Sequence, residues 1–241
     1  MNAPNYVTYF VLLSSIGIIA ATLAGLRVAM SRADWEPSRR TATLRTASIV
    51  LPLWFVAAAA LAYAGAFRGT PQSPPTVEFG LFVPVAVGLV WLWRSAAARR
   101  LLDAIPQSWL VGVQVYRALG AIFLLMYVQG RMPGAFALPA GGGDVAVGLL
   151  APIVAVAYAR GVPGREFLVA GWNLLGLVDL ANAITTGFLT SPSPLQMLSL
   201  DAPNWLISDF PLVLVPVFGV PLAIILHVAS LIKLSRSPVT A

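Results

Sequence analysis

The amino-acid sequence predicts an all-α membrane protein that crosses the bilayer seven times. Three observations predict this fold class: 59% of the 241 residues are hydrophobic, only 10% are charged, and the apolar residues fall into seven long runs. A soluble domain carries charge on about a quarter of its residues. The composition therefore excludes a water-soluble enzyme and a nucleic-acid-binding domain, although the net charge is +6.

Each of the seven runs is close to the length that a transmembrane helix needs, because about 20 apolar residues cross a hydrocarbon core of about 30 Å. Their predicted bounds are 5–27, 46–67, 77–93, 109–127, 143–159, 167–188 and 211–232. The segments between them are rich in Pro, Gly, Ser or charge, as loops are. Since no loop is long enough to fold alone, we expect a single transmembrane domain over residues 1–241.

The arginine and lysine residues predict the orientation of the chain, because short basic loops stay on the cytoplasmic side. Twelve basic residues fall in alternate loops and at the C-terminal end, whereas only Arg68 and Arg131 fall on the other side. This bias predicts an outside N-terminus and a cytoplasmic C-terminus, as an odd number of crossings requires. The twelve are Arg27, Arg32, Arg39, Arg40, Arg45, Arg94, Arg99, Arg100, Arg160, Arg165, Lys233 and Arg236.

The scarcity of ligand-forming side chains limits the chemistry of the chain. Without cysteine, it has no disulfide, thiolate zinc site or thiol nucleophile. With a single histidine it cannot supply the two imidazoles of a b-type haem or the three of a zinc hydrolase. We therefore predict no metal site and no catalytic residue, and the sequence leaves any cofactor unidentified.

Polar side chains inside the apolar runs are the candidate functional residues, because an ionisable group costs about 2.5–3.5 kcal/mol at the centre of a membrane helix. Arg117 lies near the middle of the fourth run and Asp179 near the middle of the sixth. We expect them to form an ion pair, with Gln114, Asn173 and Asn182 as further hydrogen-bond partners. Such a pair either fixes helix packing or forms a substrate, ion or proton site.

Asp144 follows three glycines at the predicted outer start of the fifth run. There a carboxylate accepts backbone N–H bonds and meets the positive end of the helix dipole, so we expect a capping role. The preceding loop, 129–142, is apolar, and Pro133 and Pro139 argue against a continuous helix. We consider two placements for this loop: in the membrane interface, or folded back as a lid over Arg117 and Asp179.

The last run combines His227 with prolines at every fifth position, Pro211, Pro216 and Pro221. Because proline removes a backbone donor, this helix is expected to be kinked. For His227 three roles stay open: a proton carrier, an axial ligand, or a core residue bonded to a carbonyl.

The fourth to seventh runs resemble a group of uncharacterised bacterial multi-pass membrane proteins. The resemblance is carried by QVYRALGAIFLLMYVQGRMPGAFALPAGGGD, GWNLLGLVDLANA and ILHVASL, which cover about the C-terminal half. It implies no activity, and it directs attention to Arg117, Asp144, Asn173, Asp179 and His227. A rhodopsin-type retinal site is not expected, since the single lysine, Lys233, lies at the end of the last run.

These observations favour a bacterial inner-membrane protein that binds or transports a small molecule or ion, with proton linkage as one form. The alternative is a structural or assembly subunit of a larger membrane complex, in which the polar cluster only holds the helices together. An intramembrane enzyme ranks third, because no nucleophile, base and orienting group are recognisable. The expected partners are the lipid bilayer, a ligand, and a membrane protein or a second copy of the chain.

The environment of the Arg117–Asp179 pair separates the two leading functions. A dry pair within about 4 Å favours the packing role, and a pair that lines a cavity near His227 favours ligand binding.

Overall fold

The structure is a computed structural model that describes residues 3–32, 35–73 and 76–236. All regular elements in these ranges are helices, and seven of them are long and apolar enough to cross a membrane. The predictions of an all-helical chain and of seven such helices are confirmed. We number these helices as spans one to seven: Asn5–Arg32, Pro37–Tyr63, Val77–Arg94, Gln107–Val128, Gly134–Ala159, Arg165–Thr190 and Val215–Arg236.

The loops form two ends of the bundle. The basic end contains the connections between spans one and two, three and four, and five and six, together with the end of span seven. There a short helix, Ala96–Ala104, precedes span four, and the Lys233 ammonium donates to the Leu102 carbonyl over 2.7 Å. At the opposite end Arg68 pairs with Asp209 over 2.9 Å, which ties the connection between spans two and three to that between spans six and seven.

Span five begins much earlier than the sequence predicts. Its helix starts at Gly134 instead of residue 143, and it continues through Pro139 and the three glycines without interruption. The lid, one of the two placements considered for this loop, is therefore wrong for residues 134–142, which are the first turns of a span. The expectation that Pro139 interrupts a helix is also wrong. Proline and glycine are tolerated in membrane helices because neighbouring helices compensate for the lost backbone contacts.

Span four is not a uniform α-helix. Its central residues, Val113–Gly120, form a 3₁₀ helix, between α-helical segments at Gln107–Gly112 and Ala121–Val128. A 3₁₀ helix has three residues per turn, so side chains three positions apart lie directly above one another. Gln114, Arg117 and Gly120 have this spacing, and all three are buried. The 3₁₀ geometry thus directs Arg117 into the bundle.

Span seven is irregular, as its prolines predict, but only two of the three prolines lie inside the span. Pro211 lies in a turn before the helix, and Pro216 belongs to a π-helical segment, Val215–Gly219, that opens the span. Pro221 follows in the first turn of the regular α-helix. The Tyr116 hydroxyl donates to the Gly219 carbonyl at the end of the π segment, at 3.3 Å. Span four therefore contacts span seven where the helix type changes.

The spans differ strongly in how much of their surface is covered by protein. Half of the most apolar window of span seven is buried, compared with 11% for spans two and three. Span five also packs closely against span six and against the 3₁₀ segment of span four. Spans four to seven thus form the packed centre that surrounds Arg117.

Candidate functional site

A buried arginine joins two carboxylates from different helices. Nε and Nη2 of Arg117, in span four, each lie 2.8 Å from Oδ1 of Asp144, in span five. Nη2 also pairs with Oδ2 of Asp179, in span six. Arg117 is only 3% exposed. The ion pair with Asp179 that the sequence predicts is present, and Asp144 is a third member.

The remaining guanidinium nitrogen, Nη1, contacts a carbonyl and a histidine. It donates to the Gly176 carbonyl over 3.3 Å and lies 3.1 Å from Nε2 of His227, in span seven. Because a guanidinium can only donate, Nε2 of His227 must accept this bond. His227 is therefore a neutral imidazole that carries its hydrogen on Nδ1. We use the name Arg117 cluster for Arg117, Asp144, Asp179 and His227.

A chain of hydrogen bonds continues from His227 toward the basic end. Nδ1 of His227 donates to Oδ1 of Asn173 at 2.9 Å, and Nδ2 of Asn173 donates to Oγ of Ser230 at 2.9 Å. The same hydroxyl accepts a 2.6 Å bond from Nε2 of Gln107, at the start of span four. His227, Asn173 and Ser230 are fully buried. The chain thus connects the Arg117 cluster with the first residue of span four.

Glycines allow the helices to approach the cluster. A Cβ atom at Gly143 would overlap the carboxylate of Asp179, and one at Gly176 would overlap the imidazole of His227. The backbone of Gly148 likewise faces the backbone at Arg117 and Ala118. Since each position has room only for hydrogen, the ion pairs depend on these three glycines.

The charges of the Arg117 cluster do not balance when both carboxylates are ionised. Asp144 and Asp179 contribute two negative charges, Arg117 contributes one positive charge, and neutral His227 contributes none. The cluster therefore has one carboxylate in excess. Among the residues that the structure describes, no three His, Asp or Glu side chains are grouped so as to hold a metal ion. The arrangement is thus suited to a proton or one small cation beside Arg117.

Two cavities reach the cluster at Asp144. The first, of about 70 Å³, lies between spans one, four and seven and touches both Arg117 and Asp144. The second, of about 50 Å³, lies beside Phe136 and extends from Asp144 to Ser191, at the opposite end. Neither of these two cavities is lined by Asp179 or His227, so they meet the cluster only at Arg117 and Asp144.

Comparison with known proteins assigns the chain to a family. Residues 74–235 match the family described as a domain of unknown function, DUF8737. The chain belongs to this family. No curated protein and no solved structure matches it. The DUF8737 region contains spans three to seven, and with them the whole Arg117 cluster and its hydrogen-bond chain. Span one, which contributes Ser15 to the wall of the first cavity, lies before the region.

The predictions for Asp144 and Asn182, two residues of the DUF8737 region, are wrong. Asp144 does not cap a helix, because it lies inside span five and pairs with Arg117. Asn182 is exposed and stays outside the cluster, since the interior face of span six follows Asn173, Gly176 and Leu180.

Gln114 is buried but does not support the ion pair. Its Oε1 and Nε2 have no hydrogen-bond partner among the described residues, although it shares the interior face of the 3₁₀ segment with Arg117.

Two residues of the hydrogen-bond chain escaped the sequence analysis. Ser230 follows His227 by three positions, so the helical spacing that places both on one face was a usable signal. Gln107 lies outside the predicted run, at a helix start, and no sequence pattern links it to span seven.

Proposed function

We propose that the protein binds a proton or a small monovalent cation at the Arg117 cluster and carries it across the membrane. The observation that carries this proposal is the excess carboxylate: Asp144 and Asp179 share one guanidinium, and His227 is neutral. An unbalanced charge is expensive within a bilayer. A proton on one carboxyl group, or a cation beside it, removes the imbalance.

The size of the cavities supports an ion over a larger organic molecule. A water molecule has a share of about 30 Å³ in the liquid, and an apolar cavity of about 150 Å³ accommodates benzene. The cavities at Asp144, of about 70 and 50 Å³, are smaller than the benzene-sized cavity and have room for water molecules or a small ion. We therefore assign the ligand to the class of protons and small inorganic cations.

Ion flux into liposomes tests this proposal. The purified protein is reconstituted in liposomes that contain a pH indicator, or an indicator for Na⁺ or K⁺, and a gradient of each ion is applied in turn. We expect uptake of one of these ions, and we expect Asp144→Asn and Asp179→Asn to abolish it. The matched control is Asp201→Asn, since Asp201 is an exposed loop carboxylate.

Two results would contradict the proposal. One is that no gradient drives uptake above that of protein-free liposomes. The other is uptake that survives neutralisation of both Asp144 and Asp179, which would locate the ion path elsewhere.

A second function, helix packing within a structural or assembly subunit, is supported by the burial of Arg117. Buried ion pairs fix how helices pack even where they contribute little stability. An assembly subunit would copurify with a specific membrane protein or with a second copy of itself, and would show no ion flux. Copurification from native membranes followed by the flux assay separates the two functions.

We further propose that the basic end faces the cytoplasm of a bacterial cell, with the protein in the inner membrane. The support is the distribution of arginine and lysine, because short basic loops are retained on that side. On this basis the N-terminus and the Arg68–Asp209 ion pair lie outside. Fusing a reporter that is active only in the cytoplasm to the C-terminus tests the orientation, and an inactive fusion of a folded protein would contradict it.

A further inference from the structure

The cavities at the Arg117 cluster lie in only one half of the bundle. Toward the basic end, their lining residues extend no further than Ile18 in span one, Tyr116 in span four, Leu180 in span six and Ala223 in span seven. Toward the opposite end they continue as far as Ser191. Both cavities therefore lie on the side of Asp144 that faces the opposite end, and the second cavity reaches that end at Ser191.

In the half between the cluster and the basic end, buried polar side chains are joined by hydrogen bonds. Here the chain Gln107, Ser230, Asn173 and His227 crosses the bundle from span four through spans seven and six. Nε2 of Gln107 makes two bonds to one residue, 2.6 Å to the Ser230 hydroxyl and 3.1 Å to its carbonyl. The chain thus links Arg117 to the first residue of span four through buried polar side chains.

The order of donors and acceptors shows that this chain is not a proton wire. Asn173 and Gln107 both donate through their amide nitrogens to the Ser230 hydroxyl. A proton that moved along the chain would have to pass through amide groups, which do not exchange protons readily, as imidazoles and carboxyl groups do. The chain is therefore suited to closing the path and not to conducting along it.

We propose that the hydrogen-bonded chain of Gln107, Ser230, Asn173 and His227 is the seal that separates the Arg117 cluster from the basic end. This inference rests on the proposed function, and it specifies the direction of access: the ion reaches Asp144 from the opposite end. Release to the basic end requires Gln107 to separate from Ser230. The bond between them can open, because a hydrogen bond between neutral groups contributes only modestly to stability.

The absence of cysteine from the sequence makes an accessibility test direct. Single cysteines are introduced at Ala183, in the wall of the second cavity, and at Ala229, buried beside Ser230. Reconstituted protein is then treated from either side with Ag⁺, a thiol-reactive monovalent cation that is much smaller than benzene. Exposed cysteines at Ala135 and Ala97 report the opposite end and the basic end, respectively.

We expect Ala183→Cys to react from the opposite end about tenfold or more faster than Ala229→Cys reacts from the basic end, since a minor open state is populated at a few per cent or less. Adding Gln107→Leu is expected to make Ala229→Cys reactive from the basic end. The matched control is Gln129→Leu, which removes an exposed glutamine at the opposite end. Ser230→Ala is the second seal variant, and it decides the test if Gln107→Leu does not fold.

Three outcomes would overturn the proposal. They are protection of Ala183→Cys from the opposite end, equal reactivity of Ala183→Cys and Ala229→Cys in the otherwise native chain, and protection of Ala229→Cys that persists in a folded seal variant. Because labelling needs no ion movement, the predicted labelling with no ion flux would contradict the proposed function alone.

Discussion

The carboxylates of Asp144 and Asp179 contact the same nitrogen, Nη2, of Arg117, although they lie on different helices. A guanidinium shared in this way holds spans four, five and six together, and it leaves the two negative charges opposed by one positive charge. The arrangement therefore has a structural consequence, the docking of three helices. It also has a chemical consequence, a net negative charge on the cluster when both carboxyl groups are ionised.

Replacing Arg117 tests the structural consequence. We expect Arg117→Ala to lower the free energy of unfolding by about 3–5 kcal/mol, because it leaves two buried carboxylates without their partner. Adding Asp144→Asn and Asp179→Asn is expected to restore part of this loss, since the unpaired charges disappear. Thermal unfolding in detergent measures both effects, with Arg131→Ala, at an exposed arginine, as the control.

If the charged contacts were incidental, Arg117→Ala would cost no more than Arg131→Ala. A loss that the two asparagine substitutions fail to relieve would also contradict this account, since it would then come from the missing bulk of the side chain.

Adjacent glycines in span five provide a second test, of the close approach of the helices. Gly143→Ala is expected to destabilise the protein by about 1–3 kcal/mol, because the added methyl overlaps Asp179 and overpacking has a cost of this size. At Gly142 nothing lies within 4 Å of an added Cβ, so Gly142→Ala is expected to be neutral or slightly stabilising. Unfolding midpoints that are equal for the two variants would refute the predicted contact.

The single histidine permits a third test, by nuclear magnetic resonance. Protein labelled with ¹⁵N-histidine contains one imidazole, His227. We expect its spectrum to show the neutral form with the hydrogen on Nδ1, because Arg117 donates to Nε2 and Asn173 accepts from Nδ1. Asn173→Leu removes this acceptor and is expected to shift the Nδ1 resonance. A native spectrum with the hydrogen on Nε2 would disprove the assigned contacts.

The sequence predicts the fold class and one of the two ion pairs of Arg117, the pair with Asp179. Seven apolar runs are recognisable because each helix must cover its backbone with about 20 apolar residues, and the charges of Arg117 and Asp179 stand out against this background. Span two shows the limit of this signal: it begins at Pro37, nine positions before the predicted start, because helices continue into polar segments beyond the apolar run.

The role of Asp144 could not be predicted, for a physical reason. In water three glycines and a proline predict a loop, whereas here the missing side chains allow span five to approach spans four and six. The sequence does not predict the 3₁₀ segment of span four either, since residues 113–120 would also form an ordinary α-helix. Its spacing of three residues per turn aligns Gln114 and Arg117, and that alignment follows from tertiary packing.

The charge state of the two carboxyl groups tests the central claim most directly. Infrared difference spectra of the protein in buffer free of Na⁺ and K⁺ report the C=O stretch of a protonated carboxylic acid, with Asp144→Asn subtracted from the native protein. We predict one protonated carboxyl group that is absent from Asp144→Asn, and that loses its proton if Na⁺ or K⁺ binds in its place. A native spectrum without a protonated carboxyl group, together with no bound cation, would contradict the excess negative charge at Arg117.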